Sequence, residues 1–162
     1  MAFQHFFEWL SQTSLSITLR NGTYYFPILV IIHVLTIGLF GGMVAMANLR
    51  VLGLVLQDIP VSRVFSQFRP WKWIGFGILL ITGTMLSLSD PVEYGGNIMF
   101  WISLVILLVA ALNAFVFHYG VYRTVAEWDE APRAPARARA WALRSLVLWI
   151  SLVFIGRAIA FF

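Results

Sequence analysis

The histidine at position 33 is the residue of this sequence with the clearest capacity for chemistry. It lies in the segment FPILVIIHVLTIGLFGG, where almost every neighbour is apolar. Hydrocarbon offers no water, so an imidazole there must be neutral, hydrogen-bonded or bound to a metal. Two interpretations are open. His33 is either an axial ligand of a haem b or another metal, or it bonds a serine, a threonine or a backbone carbonyl of another helix.

A second histidine, His118, lies in LNAFVFHYG and is a candidate for a separate site. His33 precedes Arg50 by 17 residues, whereas His118 precedes Arg123 by only five. The difference corresponds to roughly 18 Å along a helix axis, which is too far for one iron to bind both rings. Asn113 lies near His118 and needs a partner in a membrane. It either bonds to another helix or lines a path for a substrate or protons.

Three further side chains extend the candidate sites. Arg157 either snorkels to the membrane surface or pairs with an anionic group such as a haem propionate. Met85 lies in the same layer as His33, where its sulfur either ligates iron or fills a gap in the core. Arg50 ends the first apolar segment, and we expect it to contact a lipid phosphate.

The elements that must position these residues are transmembrane helices. Charged residues make up only 11% of the 162 residues and hydrophobic ones 60%, whereas a soluble domain carries about 25% charge. Four apolar segments are long enough to cross a bilayer, at residues 24–49, 70–89, 98–122 and 139–162. The sequence predicts an all-α membrane protein: one domain, residues 1–162, forming an up-down bundle of four transmembrane helices. Residues 1–20 are expected to form an amphipathic helix in the membrane interface.

Small residues in two of these segments predict where helices pack closely. Gly38, Gly42 and Ala45 share one face of the first segment, and Gly75 and Gly83 share one face of the second. Small residues four apart allow helix backbones to approach in membranes. We therefore expect these glycines to lie at helix contacts, or at contacts between subunits of an oligomer.

The basic residues predict the orientation in the membrane. Nine of the eleven basic residues lie in or near two connections, the one between the first and second spans and the one between the third and fourth. The loop between the second and third spans has Asp90 and Glu93 as its only charged residues. By the positive-inside rule the basic side is cytoplasmic, and both termini face the periplasm or the exterior. We expect these basic residues to meet anionic lipids rather than nucleic acid. The nine are Arg50, Arg63, Arg69, Lys72, Arg123, Arg133, Arg137, Arg139 and Arg144.

The chain also resembles a known family. The segments NLRVLGL, RPWKWIGFGILLITGTMLSLSD, LNAFVFHYGVYR and GRAIAF, together with the one around His33, resemble an uncharacterised family of small four-helix proteins of the bacterial inner membrane. The family pattern often has a basic residue early in the third helix, where this chain has Ile102 and Ser103. More loosely, the architecture is similar to four-helix membrane cytochromes b and to copper-resistance-type membrane proteins. The positions that match the family pattern are His33, Arg50, Trp71, Gly83, Asn113, His118 and Arg157.

Three functions are compatible with these features. The first is a haem-b-binding protein that takes part in electron transfer or redox-associated chemistry, together with a redox partner. The second is an oligomeric transporter or channel-like protein for a small solute or metal ion. The third is an accessory membrane subunit without chemistry of its own. The chain has no cysteine, no nucleophile–base pair and no paired carboxylates within a span, so we do not expect it to act as an enzyme alone.

Overall fold

The structure is a computed structural model that describes residues 2–161, and side chains from residue 4 onward. Its described secondary structure is entirely helical, and four helices are long and apolar enough to cross a membrane. The prediction of an all-α membrane protein is therefore confirmed. Residues 1 and 162, which the sequence assigned to the interfacial helix and the fourth span, lie outside the described part. The α-helices are α1 (Ala2–Ser11), α2 (Ser14–Asn21), α3 (Tyr25–Leu52), α4 (Val61–Ser89), α5 (Pro91–Gly96), α6 (Ile98–Tyr119) and α7 (Ala136–Ala158).

The N-terminal segment forms two helices where the sequence predicted one. Thr13 separates α1 from α2, because its hydroxyl donates to the Leu10 carbonyl at 2.7 Å and accepts from the Ser16 amide at 3.3 Å. A threonine in this position caps the second helix and ends the first. The pair then lies over one end of the molecule, where α1 packs against α5 and α2 packs against α4.

The second spanning helix begins at Val61, nine residues before the predicted start. Asp129 caps it from a distant part of the chain: its carboxylate accepts from the Ser62 amide at 2.7 Å and from the Ser62 hydroxyl at 2.6 Å. These bonds satisfy amides that a helix start leaves unpaired. Pro70, the predicted start, lies inside the helix on an exposed side, where the one carbonyl that it leaves unpaired can reach water or headgroups.

The helices pack in a row. α3 packs against both α4 and α7, and α6 packs against α7, whereas α4 and α6 share few contacts. The bundle is consequently open on its α4–α6 side, except near one end, where the Phe65 ring stacks on Phe117 with centroids 5.7 Å apart. A closed bundle would have brought these two helices together along their length.

The close helix contacts use the predicted glycines of α4, but on α3 they use Gly41 instead of Gly38 and Gly42. A Cβ added to Gly41 would overlap the indole of Trp149 on α7, and one added to Gly75 would lie 3.1 Å from the Phe40 ring. Gly38 and Gly42 have no described atom within 4 Å of an added Cβ. Gly75 thus fits the packing expectation. The Gly38 and Gly42 face packs against no described helix of the same chain.

The buried core lies at one end of the molecule. We call this the basic end; it contains the C-terminus of α3, the N-termini of α4 and α7, and the segment after α6. A 3₁₀ helix, Val121–Glu127, follows α6 there. Away from this end, most large apolar side chains on the spanning helices are exposed, as a surface in contact with lipid requires. The core residues are Val51, Val61, Phe117, Val121, Trp128, Ala134, Ala138 and Ala142.

Candidate functional site

His33 is joined to the neighbouring spanning helix by a side-chain hydrogen bond. Its Nδ1 lies 2.7 Å from the hydroxyl oxygen of Thr82 on α4. The antiparallel register places this pair two turns beyond the contact between Phe40 and Gly75. His33 lies eight residues into α3, about 12 Å from the end opposite the basic end. The ring is half-buried and lies along the apolar length of the spanning helices, away from their ends.

The hydrogen bonds of the Thr82 hydroxyl favour one tautomer of His33. A hydroxyl has one hydrogen to donate, and that of Thr82 points to the Ile78 carbonyl at 2.7 Å, as is common for threonine within helices. With its hydrogen directed there, the Thr82 oxygen can accept from the Nδ1–H of His33. In that tautomer Nε2 carries a lone pair. Among residues 2–161, no hydrogen bond reaches Nε2.

Two residues of α4 lie beside this ring. A Cβ added to Gly83 would lie 3.4 Å from Cε1 of His33, the carbon between the two ring nitrogens. Gly83 therefore lies in contact distance of the imidazole without placing a side chain against it. Met85 lies three residues beyond Thr82 and is half-buried, on nearly the same side of α4. Of the predicted ligands, Met85 is the one that the fold places close in height to His33.

Arg157 lies near the same end of the molecule but on the surface. It is exposed, and its guanidinium carbon lies 4.8 Å from the centroid of the Phe161 ring. Within the described residues no hydrogen bond or ion pair joins it to His33 or to a carboxylate. Snorkelling along the helix, one of the two predicted roles, fits this geometry.

His118 and Asn113, the predicted second site, have different surroundings. His118 is exposed near the basic end and stacks on Tyr122 with ring centroids 5.6 Å apart. Asn113 is buried against α7, where its amide donates weakly to the Trp141 carbonyl at 3.5 Å. An apolar groove of about 520 Å³ runs past Asn113 between α6 and α7. His118 and His33 lie near opposite ends of the spanning helices, as the difference in their sequence positions led us to expect.

The carboxylates and histidines of the described residues are dispersed. No group of three or more His, Asp or Glu side chains within residues 2–161 is arranged to hold a metal ion. A metal bound at His33 would therefore draw most of its ligands from another source.

The comparison with known proteins concerns the whole chain. Residues 6–162 match a family described as a family of unknown function, DUF6644. The chain belongs to this family. The predicted resemblance to a family of small membrane proteins is confirmed in this respect. No curated protein and no solved structure matches the chain.

Arg50 has a different environment in this DUF6644 protein from the one that the sequence led us to expect. Its side chain is completely buried at the basic end, and Nε donates to the Ile59 carbonyl at 2.6 Å. Its terminal nitrogens donate to the carbonyls of Asp129 and Ala131 at 3.3–3.4 Å. The guanidinium therefore fastens the two connections of the basic end together and does not face a lipid phosphate.

Two residues important to this DUF6644 chain were not identified from the sequence. Thr82 is the hydrogen-bonding partner of His33, and Asp129 is the cap of α4. Thr82 could have been identified because it is polar within an apolar span. It also lies about as far from the C-terminus of α4 as His33 lies from the N-terminus of α3. No comparable signal marks Asp129, which lies in a loop 67 residues from its partner.

Proposed function

We propose that His33 is an axial ligand of a haem b and that the protein takes part in electron transfer or redox-associated chemistry in a membrane. The observation that carries this proposal is the open Nε2 of a ring whose Nδ1 is fixed by Thr82. Histidines that bind metals commonly donate from one ring nitrogen to a neighbouring group and coordinate through the other. An unpaired lone pair in an apolar setting is costly, so a ligand for Nε2 would remove that cost.

Haem fits these residues better than a bare metal ion does. A bare ion would need three or more protein ligands, and the described residues offer no such cluster. Haem brings four nitrogens of its own and needs one or two axial ligands from the protein. Gly83 places no side chain against the imidazole, and the bundle is open between α4 and α6.

The residues around His33 would then have distinct roles. Thr82 would orient the imidazole and keep its hydrogen on Nδ1, so that Nε2 faces the iron. Met85 is the candidate for the sixth ligand, and Arg157 is the candidate partner for a propionate if its side chain turns from Phe161. The haem, when bound, would accept and release single electrons.

Absorption spectroscopy tests this proposal. The protein, purified in mild detergent from haem-replete cells, is expected to show a Soret band in about 1:1 ratio to the chain. His33→Ala should abolish the band. His118→Ala is the matched control and should retain it, because His118 lies near the other end of the spanning helices. Thr82→Val should retain haem but alter the spectrum or the midpoint potential, because it removes only the orienting bond.

A colourless wild-type preparation whose His33→Ala variant is equally stable would overturn the haem proposal. Nitrogen NMR of histidine-labelled protein gives a separate readout of the hydrogen bond. In haem-free protein His33 is expected to be the tautomer that is protonated on Nδ1, and Thr82→Val should change its signals. If this tautomer is found but no haem binds, the geometry stands and the function is wrong.

We also propose the bacterial inner membrane as the location, with the basic end in the cytoplasm. The support is the distribution of arginine and lysine along the chain.

An oligomeric transporter is a second candidate function. The observation that favours an oligomer is the open face of α3 at Gly38 and Gly42, which are four residues apart. This spacing allows transmembrane helices from two chains to pack closely. If the protein forms such an oligomer, Gly38→Leu and Gly42→Leu should each shift it towards the monomer in detergent, measured by light scattering. A wild-type monomer under the same conditions would count against this candidate.

A further inference from the structure

A groove at the basic end is lined by charged and apolar side chains. It has a volume of about 410 Å³ and lies between the end of α3 and the first turns of α7. Arg133 and Arg139 provide its charge, and three leucines and two alanines complete its lining. Leu54 and Leu143 are well exposed there. The leucines are Leu52, Leu54 and Leu143.

The two arginines lack partners within the described structure. No described carboxylate lies within ion-pair distance of either guanidinium. Nε of Arg139 is buried and forms no hydrogen bond. A buried donor without an acceptor costs free energy, and an anionic oxygen would remove that cost. The groove therefore has two cationic groups for which the described residues supply no counter-charge.

Arg133 lies close to the backbone at the end of α3. Gly53 ends α3 with a φ of 73°, a left-handed conformation that glycine adopts without strain. A Cβ at this position would lie 2.5 Å from Cγ of Arg133 and 2.5 Å from the Pro132 carbonyl oxygen. Gly53 thus allows the connection before α7, with Arg133, to approach the end of α3.

We infer that this groove binds one anionic phospholipid. Guanidinium groups bind phosphate oxygens through paired hydrogen bonds, and two of them without counter-ions favour a headgroup with net negative charge. Leu52 lies in the last turn of α3 and Leu143 lies two turns into α7, so the apolar lining of the groove adjoins the apolar surface of the spanning helices. Acyl chains can pack against such an apolar lining, whereas inorganic phosphate gains nothing from apolar contacts. The occupant is therefore a lipid.

Lipid titration followed by native mass spectrometry tests this inference. The probes are dioleoylphosphatidylglycerol, which is anionic, and dioleoylphosphatidylcholine, which is zwitterionic, each added to purified protein in detergent. We expect the anionic lipid to bind more tightly. Arg133→Gln and Arg139→Gln should each weaken its binding by about fivefold, and the double variant by roughly 30-fold. Arg137→Gln is the matched control, because Arg137 is an exposed arginine of the same connection that does not line the groove, and its binding should change by less than about twofold.

Three results would overturn the inference. Equal loss of binding in Arg137→Gln would show diffuse attraction to a basic surface. Equal binding of both lipids would remove the role of charge. Competition by inorganic phosphate at the same concentration as the lipid would show a phosphate site instead of a lipid site. Leu143→Asn leaves the charges intact. It should weaken binding of dioleoylphosphatidylglycerol but not of dihexanoylphosphatidylglycerol. This measurement remains valid if an arginine variant fails to fold.

Discussion

Arg50 is the most completely buried charged residue of the described structure, and its charge meets only backbone carbonyls. These belong to Ile59, Asp129 and Ala131, which lie in two separate connections of the basic end. A guanidinium has five donors in a fixed plane, so one side chain can satisfy several carbonyls at once. The sequence placed Arg50 at a membrane boundary, where contact with lipid was the simpler prediction. The burial could not be predicted, because it depends on where two distant loops meet.

Replacing Arg50 should destabilise the protein more than replacing any exposed arginine. Arg50→Ala leaves the three loop carbonyls without donors and opens a cavity, so we expect the free energy of unfolding to fall by about 3 kcal/mol. Arg50→Lys keeps the charge but supplies fewer donors in the right directions. Its free energy of unfolding should lie between that of the wild type and that of Arg50→Ala. The measurement is a denaturant titration in detergent, followed by circular dichroism.

Arg63→Ala serves as the control for Arg50→Ala. Arg63 is exposed at the same end of the molecule, and the change should alter the free energy of unfolding by less than about 0.5 kcal/mol. Equal stability of the Arg50 and Arg63 variants would mean that the loop carbonyls find other donors.

At the scale of the helices, one glycine of α3 lies at a close contact with α7. Gly41 lies directly under the indole of Trp149, whose ring also packs edge-on against Phe40 with centroids 5.1 Å apart. The spacing of Gly38 and Gly42 made them the expected packing residues, and the chain does use a glycine of this segment. Which one faces α7 depends on the rotation of α3 about its axis. An all-round apolar helix carries little information about that rotation.

Gly41→Ala should loosen this contact, and Gly42→Ala provides a matched control. A methyl group at position 41 forces the rigid indole away, so we expect a loss of about 1–3 kcal/mol in the free energy of unfolding. A methyl group at position 42 meets no described atom within 4 Å and should change stability by less than about 0.5 kcal/mol. The measurement is the same titration in detergent.

A second variant separates overpacking from an effect on the helix itself. Trp149→Phe in the Gly41→Ala background makes room for the methyl group and should restore part of the lost stability. Equal loss in the Gly41 and Gly42 variants would contradict the contact with Trp149.

At the scale of the whole molecule, the number and class of the helices could be predicted, and their ends and lateral order could not. Four long apolar segments with little charge permit one solution in a membrane, because each must satisfy its backbone internally. The start of α4 depends instead on Asp129, and the break between α1 and α2 on a threonine cap. The open side between α4 and α6 depends on how the helix faces pair. His33 could be identified as a candidate from its surroundings alone, whereas its partner required the register of two helices.

The orientation of the molecule is a prediction that single cysteines can test. The chain has no cysteine, so each variant carries one thiol and the parent serves as the unlabelled control. Gln12→Cys lies between α1 and α2, and Glu130→Cys lies at the basic end; both positions are exposed. In intact spheroplasts a membrane-impermeant maleimide should label Gln12→Cys and should label Glu130→Cys only after lysis, because positively charged loops are retained in the cytoplasm. The opposite pattern would reverse the topology and would place the groove of Arg133 and Arg139 on the outer surface. Labelling of both sites in intact spheroplasts would instead indicate a leaky membrane, which a cytoplasmic marker protein with a reactive thiol detects in the same sample.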